Sequence, residues 1–505
     1  MIHCHLLLLL ILSLTALARA DIENNSEDNN NNSPPSPPSP LRYLSTNLTS
    51  IHFIGDLHGD VNCAKEWISA TNLVDLSSSP FQWLGSSSDA MVFLGDYVDK
   101  GSTSSSVLEL MRELQETFTE NVVTILGNHD FFQVLDAALE YDVNGNVEDG
   151  SPPHPLGHPQ HDYVYSFVHP EEYVESGYSP QRDDDTELMD AIYSALVNVY
   201  DQHLQANVKF CSSRSCALNL QPDQVDLFTS VSPFSDEGNS ELASRARERL
   251  WTWREEYMAG LHKAGLIHWM VKQPIVAIVG DAVLVHGGIS PNIINYISKV
   301  ASKSDLSIED TLHIIVNERF QSFFTTQLQQ NDEKGLGPNS IKDRLPTEHF
   351  TFELIMNMIQ HRGYFKGNGC AEVQTVLDML KGEGVNRICV GHTPRDYAEQ
   401  FCSGKLIASD SSLSRSFRAY GNLYCPLNEQ FGSGGDNNDD NSSCWKGQFE
   451  DTCGGSISYI VRESPKDEWP KTVTHVTMDD LKKRHSSTSN TTPDADAVPE
   501  LEDEL

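Results

Sequence analysis

The chain has 505 residues, enough for one large domain or two of ordinary size. Acidic residues outnumber basic ones by 72 to 35, and the formal net charge is −37. This charge argues against sequence-independent binding to DNA or RNA, whose phosphates require cationic contacts, and against a polybasic membrane anchor. An anionic substrate would need a local positive field, which bound metal ions can supply.

The N-terminus has the form of a secretory signal peptide. The apolar run at residues 6–12 is too short to span a bilayer, which takes ~20 apolar residues. Ala18-Arg19-Ala20 suits cleavage after Ala20, so we predict a signal peptide at residues 1–20, with an uncleaved signal anchor as the alternative. No later segment is long and apolar enough to cross a membrane, which predicts a mature chain without a membrane span.

Both ends of the remaining chain are polar and biased in composition. Residues 21–45 are rich in Asn, Ser and Pro and predict a disordered lead-in, and residues 466–505 predict an acidic flexible tail. The last residues, Glu502-Asp503-Glu504-Leu505, resemble the retrieval signal of endoplasmic-reticulum proteins, although a basic residue usually opens that signal. The alternative is an acidic C-terminal tail whose last residue is Leu by chance. We expect the endoplasmic-reticulum lumen, and otherwise secretion or a vacuolar location.

The cysteines and glycan acceptor motifs are compatible with that route. Ten cysteines are present and Cys4 leaves with the predicted signal, so at least one of the odd remainder is free or intermolecular. Cys211 and Cys216 could form a local bridge. The late cysteines could form two more, with connectivity left open: Cys402, Cys425, Cys444 and Cys453. Asn-x-Ser/Thr sites lie in predicted loops and tails, at Asn24, Asn31, Asn47, Asn441 and Asn490.

Between the ends, short aliphatic runs of strand length each stop at Gly or His and a polar cluster. The runs begin at Ser50, Met91, Val122, Ala282 and Arg387. Residues 107–118 predict an intervening helix, because their apolar side chains recur at helical spacing. The alternation predicts an α/β catalytic domain over residues 46–465, with its functional residues on loops at the carboxyl ends of strands.

Two further features organise this domain. Residues 275–285 predict a β-hairpin around Gly280-Asp281, which would present His286 at the end of a strand. Residues from about 142 to 245 are interpreted as an insertion, rich in Pro, His and Asp. Its histidines at 154, 158, 161 and 169 are interpreted as exposed loop residues, because the intervening prolines forbid a regular helical ligand face.

Polar motifs after the strand-like runs carry the candidate chemistry. They are Gly55-Asp56-Leu57-His58-Gly59-Asp60, Gly95-Asp96-Tyr97-Val98-Asp99-Lys100-Gly101, Gly127-Asn128-His129-Asp130, His286-Gly287-Gly288 and Gly391-His392-Thr393. One such motif alone is usually a turn or a satisfied polar residue. All of them in this order, each after a strand-like run, predict a metal site.

The residue types point to two metal ions. Zinc, iron and manganese accept both carboxylate and imidazole ligands, and the sequence does not distinguish among these three. A site with ions ~3.5–4 Å apart needs a carboxylate that bridges them, and Asp96 is the predicted bridge. Asp56 and His58 would hold one ion. Asn128, His286 and His392 would hold the other.

These motifs resemble those of the calcineurin-like metallophosphoesterases, and among them the phosphoprotein phosphatases and their Shewanella-like branch. Branch-like elements are Gln360-His361-Arg362-Gly363-Tyr364 and Ser409-Asp410-Ser411-Ser412-Leu413-Ser414-Arg415. The resemblance spans roughly residues 50–423, apart from the insertion. It implies a metallophosphoesterase fold, an α/β arrangement in which a central β-sandwich of two mixed sheets is flanked by helices. Lys100 and Asp130 depart from the usual Arg and Glu, so we expect a weaker phosphate grip and altered Asp99–His129 geometry.

The resemblance also implies a function. It predicts a metal-dependent phosphomonoesterase, a protein phosphatase, in which a hydroxide bridging two metal ions attacks phosphorus. His129 would be the general acid, oriented by Asp99, and Arg362, Lys100 and Asn128 would bind phosphate. The substrate would be a phosphoprotein or a small phosphoester, and the oligomeric state stays open. One alternative is a hydrolase of dinucleoside polyphosphates or other small phosphoesters. Another is a non-catalytic binding protein on the same fold.

Overall fold

The computed structural model describes residues 41–44, 47–138, 172, 176–178, 188, 256–334, 345–395, 397–415, 453–478, 480 and 483. Contacts within the chain define two units, residues 1–39 and 40–505, and the described residues all belong to the second. The predicted signal peptide and the last four residues lie outside the described ranges. So do Cys211, Cys216, Cys425, Cys444 and, apart from Asn47, the candidate glycan acceptors.

Two five-stranded mixed sheets form the centre of the described domain. The strands are β1 Ser50–Ile54, β2 Val74–Asp75, β3 Gln82–Trp83, β4 Asp89–Phe93, β5 Val122–Thr124, β6 Val276–Val279, β7 Ala282–Val285, β8 Arg387–Val390, β9 Glu399–Phe401, β10 Leu406–Ala408, β11 Ser456–Val461 and β12 Thr474–Thr477. One sheet has the order β12-β11-β1-β4-β5 and the other β6-β7-β8-β10-β9, while β2 and β3 form a separate pair.

Each large sheet is parallel at its centre. In the first sheet β1, β4 and β5 are parallel, and β11 and β12 extend it by antiparallel pairing. In the second, β7, β8 and β10 are parallel, and β6 and β9 pair antiparallel at its two edges. Alternate residues of both sheets share one buried apolar layer, to which Ile51, Phe53, Val92, Leu284 and Ile407 contribute. Since side chains of a strand alternate between its two faces, this layer is the interior of a β-sandwich. The predicted fold class is confirmed.

Helices cover the outer faces of the sheets. They are α1 Val61–Ala70, α2 Ser104–Thr117, α3 Asn128–Ala138, α4 Leu266–Lys272, α5 Pro291–Ser304, α6 Ile308–Leu312, α7 Arg319–Lys334, α8 Leu345–Ile359 and α9 Gly369–Leu380, with a π-helical turn at His313–Glu318 between α6 and α7. The second apolar cluster joins outward strand residues such as Ile54 and Phe93 to helical residues such as Trp67, Met111 and Phe320. None of the helices in the described ranges is long and apolar enough to cross a bilayer.

The local predictions hold where the pattern is strong. The predicted helix at 107–118 is α2, which begins three residues earlier, at Ser104. The predicted hairpin is the antiparallel pair β6 and β7, with Gly280 at φ 60° in the turn. The strand β7 begins after this turn and ends at Val285, so His286 directly follows the strand, as the sequence indicated.

The domain extends beyond both boundaries drawn from the sequence, at residues 46 and 465. Leu41 is buried at 1 % exposure, and residues 41–43 exchange backbone hydrogen bonds with Ile278. Beyond residue 465, β12 pairs antiparallel with β11. The sequence does not mark β12, because it is an edge strand with one buried side chain, Val476, and such a strand has little apolar pattern.

Two disulfides join distant parts of the described chain, Cys63 with Cys453 and Cys370 with Cys402. The interpretation that Cys402 and Cys453 pair among the late cysteines is therefore wrong, since both partners lie earlier in sequence. Spatial neighbours 390 positions apart cannot be read from spacing. Cys389 is free and buried, and burial raises its pKa to about 12, so it is an inert core thiol.

Candidate metal centre

Ligand-type side chains from several strands of both sheets meet at one edge of the sandwich. Asp56 and His58 follow β1, Asp96 follows β4, Asn128 follows β5 at the start of α3, His286 follows β7, and His392 follows β8. All are buried, with at most 8 % exposure. The carboxyl ends of parallel strands lie at the same edge of a sheet, so short motifs far apart in sequence become neighbours.

Asp56, His58 and Asp96 form the first ligand group. His58 Nε2 lies 3.9 Å from Asp56 Oδ2 and 3.8 Å from Asp96 Oδ2. The other ring nitrogen, Nδ1, lies 3.3 Å from the carbonyl oxygen of Val98, which can only accept a hydrogen bond. Nδ1 therefore carries the proton, and the lone pair of Nε2 is directed at the two carboxylates.

Asp96, Asn128, His286 and His392 form the second group. His286 Nε2 lies 3.1 Å from both Asp96 Oδ2 and Asn128 Oδ1, and His392 Nδ1 lies 2.8 Å from the same Asn128 oxygen. His286 Nδ1 donates to the Leu94 carbonyl at 2.7 Å, so a proton or a cation must separate Nε2 from the facing acceptor oxygens. Asp96 belongs to both groups, which is the position that a bridging carboxylate requires.

The cluster contains several buried carboxylates, which bound cations would stabilise in their ionised form. Burial, with Asp410 and Asp96 nearby, raises the pKa of Asp56 well above its usual range. Burial likewise raises the pKa of Asp130 and of Asp410 to about 6 in each case, with Asp96 adding to both. Burial would also raise the pKa of Asp96, but His286 and His129 outweigh it and hold that pKa well below its usual range. A buried cluster of carboxylates and imidazoles fits manganese, iron or zinc ions.

Two glycines allow the ligand carboxylates to approach the backbone. A Cβ at Gly127 would lie 2.0 Å from Asp96 Oδ1, and a Cβ at Gly391 would lie 2.3 Å from Asp56 Oδ1. Neither distance is sterically possible, so any side chain at these positions would displace a ligand. The ligand residues His58, Asp96 and His392 themselves have positive φ angles of 42°, 54° and 64°. Such conformations persist where the surrounding structure holds them, and they concentrate at functional sites.

Asp130 holds the loop that carries Asp96. Its two carboxylate oxygens accept hydrogen bonds from the backbone N–H groups of Asp96, Tyr97 and Gly127, at 2.7, 2.8 and 2.9 Å. Asp130 is therefore a backbone clamp, and it lies apart from the Asp99–His129 contact. In that contact His129 Nδ1 lies 2.7 Å from Asp99 Oδ2.

Asp99, Lys100 and His129 form a further group beside the candidate ligands, in which Asp99 and Lys100 are buried and His129 is partly exposed. Asp99 Oδ2 lies within 2.7 Å of His129 Nδ1 and 2.9 Å of Lys100 Nζ. Burial would raise the pKa of Asp99, but Lys100 and His129 outweigh it, so the carboxylate stays ionised. His129 Nδ1 thus carries a proton toward Asp99, and Nε2 lies 3.8 Å from Asp96 Oδ2. The structure places the Lys100 ammonium on Asp99, where it balances the charge of that carboxylate.

Arg362 precedes a 3₁₀ turn at Gly363–Phe365 and lies at the rim of the site. Burial lowers the pKa of His392 and raises that of Asp410, and the charge of Arg362 lowers both. Tyr364 fixes this segment, because its hydroxyl donates to the Ile289 carbonyl at 2.7 Å and accepts from the Ile289 N–H at 2.8 Å. Ile289 follows His286-Gly287-Gly288, so Tyr364 ties Arg362 to a ligand loop.

Some residues of the site were not assigned from the sequence. Asp410 follows β10, is buried at 1 % exposure and has an oxygen, Oδ2, with no hydrogen-bond partner among the described residues. Asp60, beside the ligand loop, accepts two hydrogen bonds of 2.9 Å from the Arg415 guanidinium. The run Leu406-Ile407-Ala408 before Ser409-Asp410 is strand-like and has the form of the other ligand strands, a signal that could have identified Asp410.

Comparison with known proteins gives matches to part of the chain. Residues 49–181 match the family model described as calcineurin-like phosphoesterase. The chain is 31 % identical over 84 residues to Shewanella-like protein phosphatase 2 of Arabidopsis thaliana, a match that covers 16 % of this chain and 20 % of the relative. The chain thus matches one fifth of that relative's length.

Two solved structures align over most of the chain at low similarity. One is a cold-active protein-tyrosine phosphatase of a psychrophilic Shewanella species, with 15 % identity, a TM-score of 0.40, and coverage of 86 % of this chain and 82 % of that one. The other is a protein serine/threonine phosphatase from Saccharomyces cerevisiae, with 11 % identity, a TM-score of 0.33, and coverage of 87 % and 84 %. Scores this low add nothing to the assignment.

Residues 49–181 are thus similar to the calcineurin-like phosphoesterases, and the β-sandwich with its strand-end clusters of potential ligands agrees with that similarity. Over 84 residues the chain is also similar to a Shewanella-like protein phosphatase.

Proposed function

We propose that the chain is a metal-dependent phosphomonoesterase that acts on phosphoproteins and uses His129 as its general acid. One observation carries this proposal: two groups of potential ligands share Asp96, and His129, whose Nε2 lies 3.8 Å from Asp96 Oδ2 in one of those groups, has its Nδ1 2.7 Å from Asp99 Oδ2. An imidazole oriented by a buried, ionised carboxylate suits a general acid, and the same arrangement also orients ligating histidines.

The candidate ligands would bind two metal ions. Asp56 and His58 would hold one ion, Asn128, His286 and His392 the other, and Asp96 both. Ions bound there would neutralise charge on the phosphoryl group and lower the pKa of a water molecule near it. The ligand side chains are held in advance by buried partners, such as the Val98 carbonyl for His58 and the Leu94 carbonyl for His286. Such second partners fix the tautomer of a ligating histidine.

His129, Asp99 and Arg362 carry the remaining chemistry. With Nδ1 held at Asp99, His129 would donate its Nε2 proton to the leaving oxygen. Asp99 would stabilise the charged imidazolium before that transfer. Arg362 would bind phosphate oxygens, because its guanidinium presents paired donors. It is near the site, since its charge lowers the pKa of both His392 and Asp410. Lys100, with its ammonium on Asp99, would tune the acid and support phosphate binding through its charge.

A phosphoprotein substrate is favoured over a small phosphoester by the curated relative, which is named a protein phosphatase. We also propose residence in the secretory pathway. The two disulfides support that location, because such bonds persist in oxidising compartments. A tagged chain with and without residues 502–505 tests the location: loss of luminal retention on truncation is expected, and a cytosolic full-length chain would contradict it.

The test compares the wild type with His129→Asn, purified with manganese, on phosphopeptides, an aryl phosphate and a dinucleoside polyphosphate. The variant should keep its bound metal and lose about 10²–10⁴-fold in kcat. His475→Asn, on the edge strand β12, is the matched control and should retain activity. Wild-type preference for the dinucleoside polyphosphate would favour the nucleotide-hydrolase alternative. Metal binding without hydrolysis of any phosphoester would favour a binding protein.

A further inference from the structure

We infer that Glu172, a residue of the 142–245 insertion, is a positioning residue that holds the general-acid loop by capping helix α2. This inference rests on the proposed function, because the loop it holds carries Asp99, the partner of His129. It assigns the insertion a part in the active site, where the sequence motifs assign it none. The remaining evidence lies in the hydrogen bonds around the first turn of α2.

Glu172 supplies the cap that α2 otherwise lacks. The side chain of the N-cap residue, Thr103, makes no capping bond and instead donates to the Gly59 carbonyl at 2.6 Å. The two carboxylate oxygens of Glu172 accept from the N–H groups of Ser104 at 2.8 Å and Ser105 at 3.0 Å. Helix N-termini have unsatisfied donors and a partial positive charge, so a carboxylate is the matching partner.

The capping carboxylate is buried and accepts a further hydrogen bond from Tyr257. Glu172 has 0 % exposure, and the Tyr257 hydroxyl donates to its Oε1 at 3.2 Å. Burial raises the pKa of Glu172, partly offset by the hydrogen bonds from Ser105, Tyr257 and Ser104. A buried carboxylate persists only when its lone pairs are satisfied, and here three donors converge on it.

Ser104 passes this support on to the general-acid loop. Its hydroxyl accepts a hydrogen bond from the Asp99 N–H at 3.0 Å, while its own N–H is held by Glu172. Asp99 and Lys100 have consecutive positive φ angles of 73° and 66°, a conformation that costs about 1–3 kcal/mol at each non-glycine residue. Bonds from outside the loop must hold it there. If Ser104 shifts, Asp99 moves away from His129.

Other described residues near Glu172 in sequence dock on the same helix and core. The Tyr178 hydroxyl bonds to Glu109 on α2, and Leu188, at 5 % exposure, lies in the apolar cluster of the domain. Glu172 is therefore one of several contacts between this part of the chain and the catalytic domain, and through Ser104 it reaches the catalytic loop.

The test is Glu172→Gln in the full-length protein. Glutamine keeps the size of the side chain, but its amide nitrogen would face a backbone N–H, donor against donor. We expect faster amide hydrogen exchange in the peptide covering residues 97–107, and a fall in kcat of about 10–100-fold with little change in KM, as misplacement of a catalytic group produces. Glu113→Gln, an exposed position on the same helix, is the matched control and should change neither.

Ser104→Ala separates positioning from stability. If Glu172 acts through Ser104, the double variant should lose little more kcat than the worse single variant, because both changes break one chain of contacts. Tyr257→Phe removes one bond and leaves the helix cap, so it gives a milder variant should Glu172→Gln fold poorly. Wild-type exchange at 97–107, wild-type kcat, or additive losses would each overturn the inference. If the wild type hydrolyses no phosphoester, the proposed function fails, and the exchange measurement still tests the cap.

Discussion

Asp99→Asn is the sharpest perturbation of the proposed chemistry, because the structure leaves the new amide no satisfactory orientation. Asp99 Oδ2 faces His129 Nδ1 at 2.7 Å and Lys100 Nζ at 2.9 Å, and Oδ1 accepts from the Lys100 N–H at 2.7 Å. Every neighbour is a donor. An asparagine must direct its NH₂ group at one of these donors, whichever way the amide turns, and a buried unmatched donor costs about 1–3 kcal/mol.

The expected fall in rate follows from the loss of general acid catalysis by His129. General acid catalysis contributes roughly 10²–10⁴-fold, or about 2.7–5.5 kcal/mol of the activation free energy. The full loss is expected only where the leaving group needs a proton. For an alkyl phosphate, or a phosphoserine peptide, kcat/KM should fall by roughly 10²–10⁴-fold. For an aryl phosphate whose phenol leaves readily as an anion, the fall should be about tenfold or less.

The assay compares kcat/KM for the two substrate types in wild type, Asp99→Asn and Asp378→Asn, with bound metal measured in each preparation. Asp378 is an exposed residue of α9 and is the matched control. Equal losses on both substrates would refute the reasoning, since they would mean that Asp99 supports binding or folding rather than proton transfer. A loss of metal in Asp99→Asn would refute the separation between the acid pair and the ligands.

Three further predictions concern metal, pH and stability. His286→Ala should lower the metal bound per chain, measured by elemental analysis, while His475→Ala should not; equal metal content would contradict the ligand assignment. Burial lowers the pKa of His52 from 6.5 to about 4, with Asp89 opposing. The unfolded state therefore takes up the proton at a higher pH than the folded state, and the free energy of unfolding should fall as pH decreases from 6.5 toward 4. In urea unfolding, His52→Gln should flatten this pH dependence, and an unchanged dependence would exclude His52 as its cause. Cys63→Ser should lower the free energy of unfolding by about 2–5 kcal/mol, measured by the same method against Cys389→Ser, and a loss below that of the control would show that the Cys63–Cys453 link is not made.

The site shows why some functional residues can be found in sequence and others cannot. Asp56, Asp96, Asn128, His286 and His392 each follow a strand after a Gly or at a hairpin end, so a local pattern marks them. Asp410 follows the short strand β10 in the same manner, but its run of three apolar residues is a weaker signal than the longer runs before the other motifs. Glu172 has no motif at all, since it reaches Ser104 from 68 positions away.

The amino-acid sequence by itself determined the order of the strand-end motifs, the hairpin that presents His286 and the α/β class. Each of these depends on interactions within a few residues, such as the alternation of a strand or the turn at Gly280. Only the tertiary structure decided the disulfide partners, the extension of the domain through β12, the burial of the Lys100–Asp99 pair and the cap of α2 by Glu172. Those contacts join residues through space, and their free energy depends on burial and geometry that exist only once both sheets have packed.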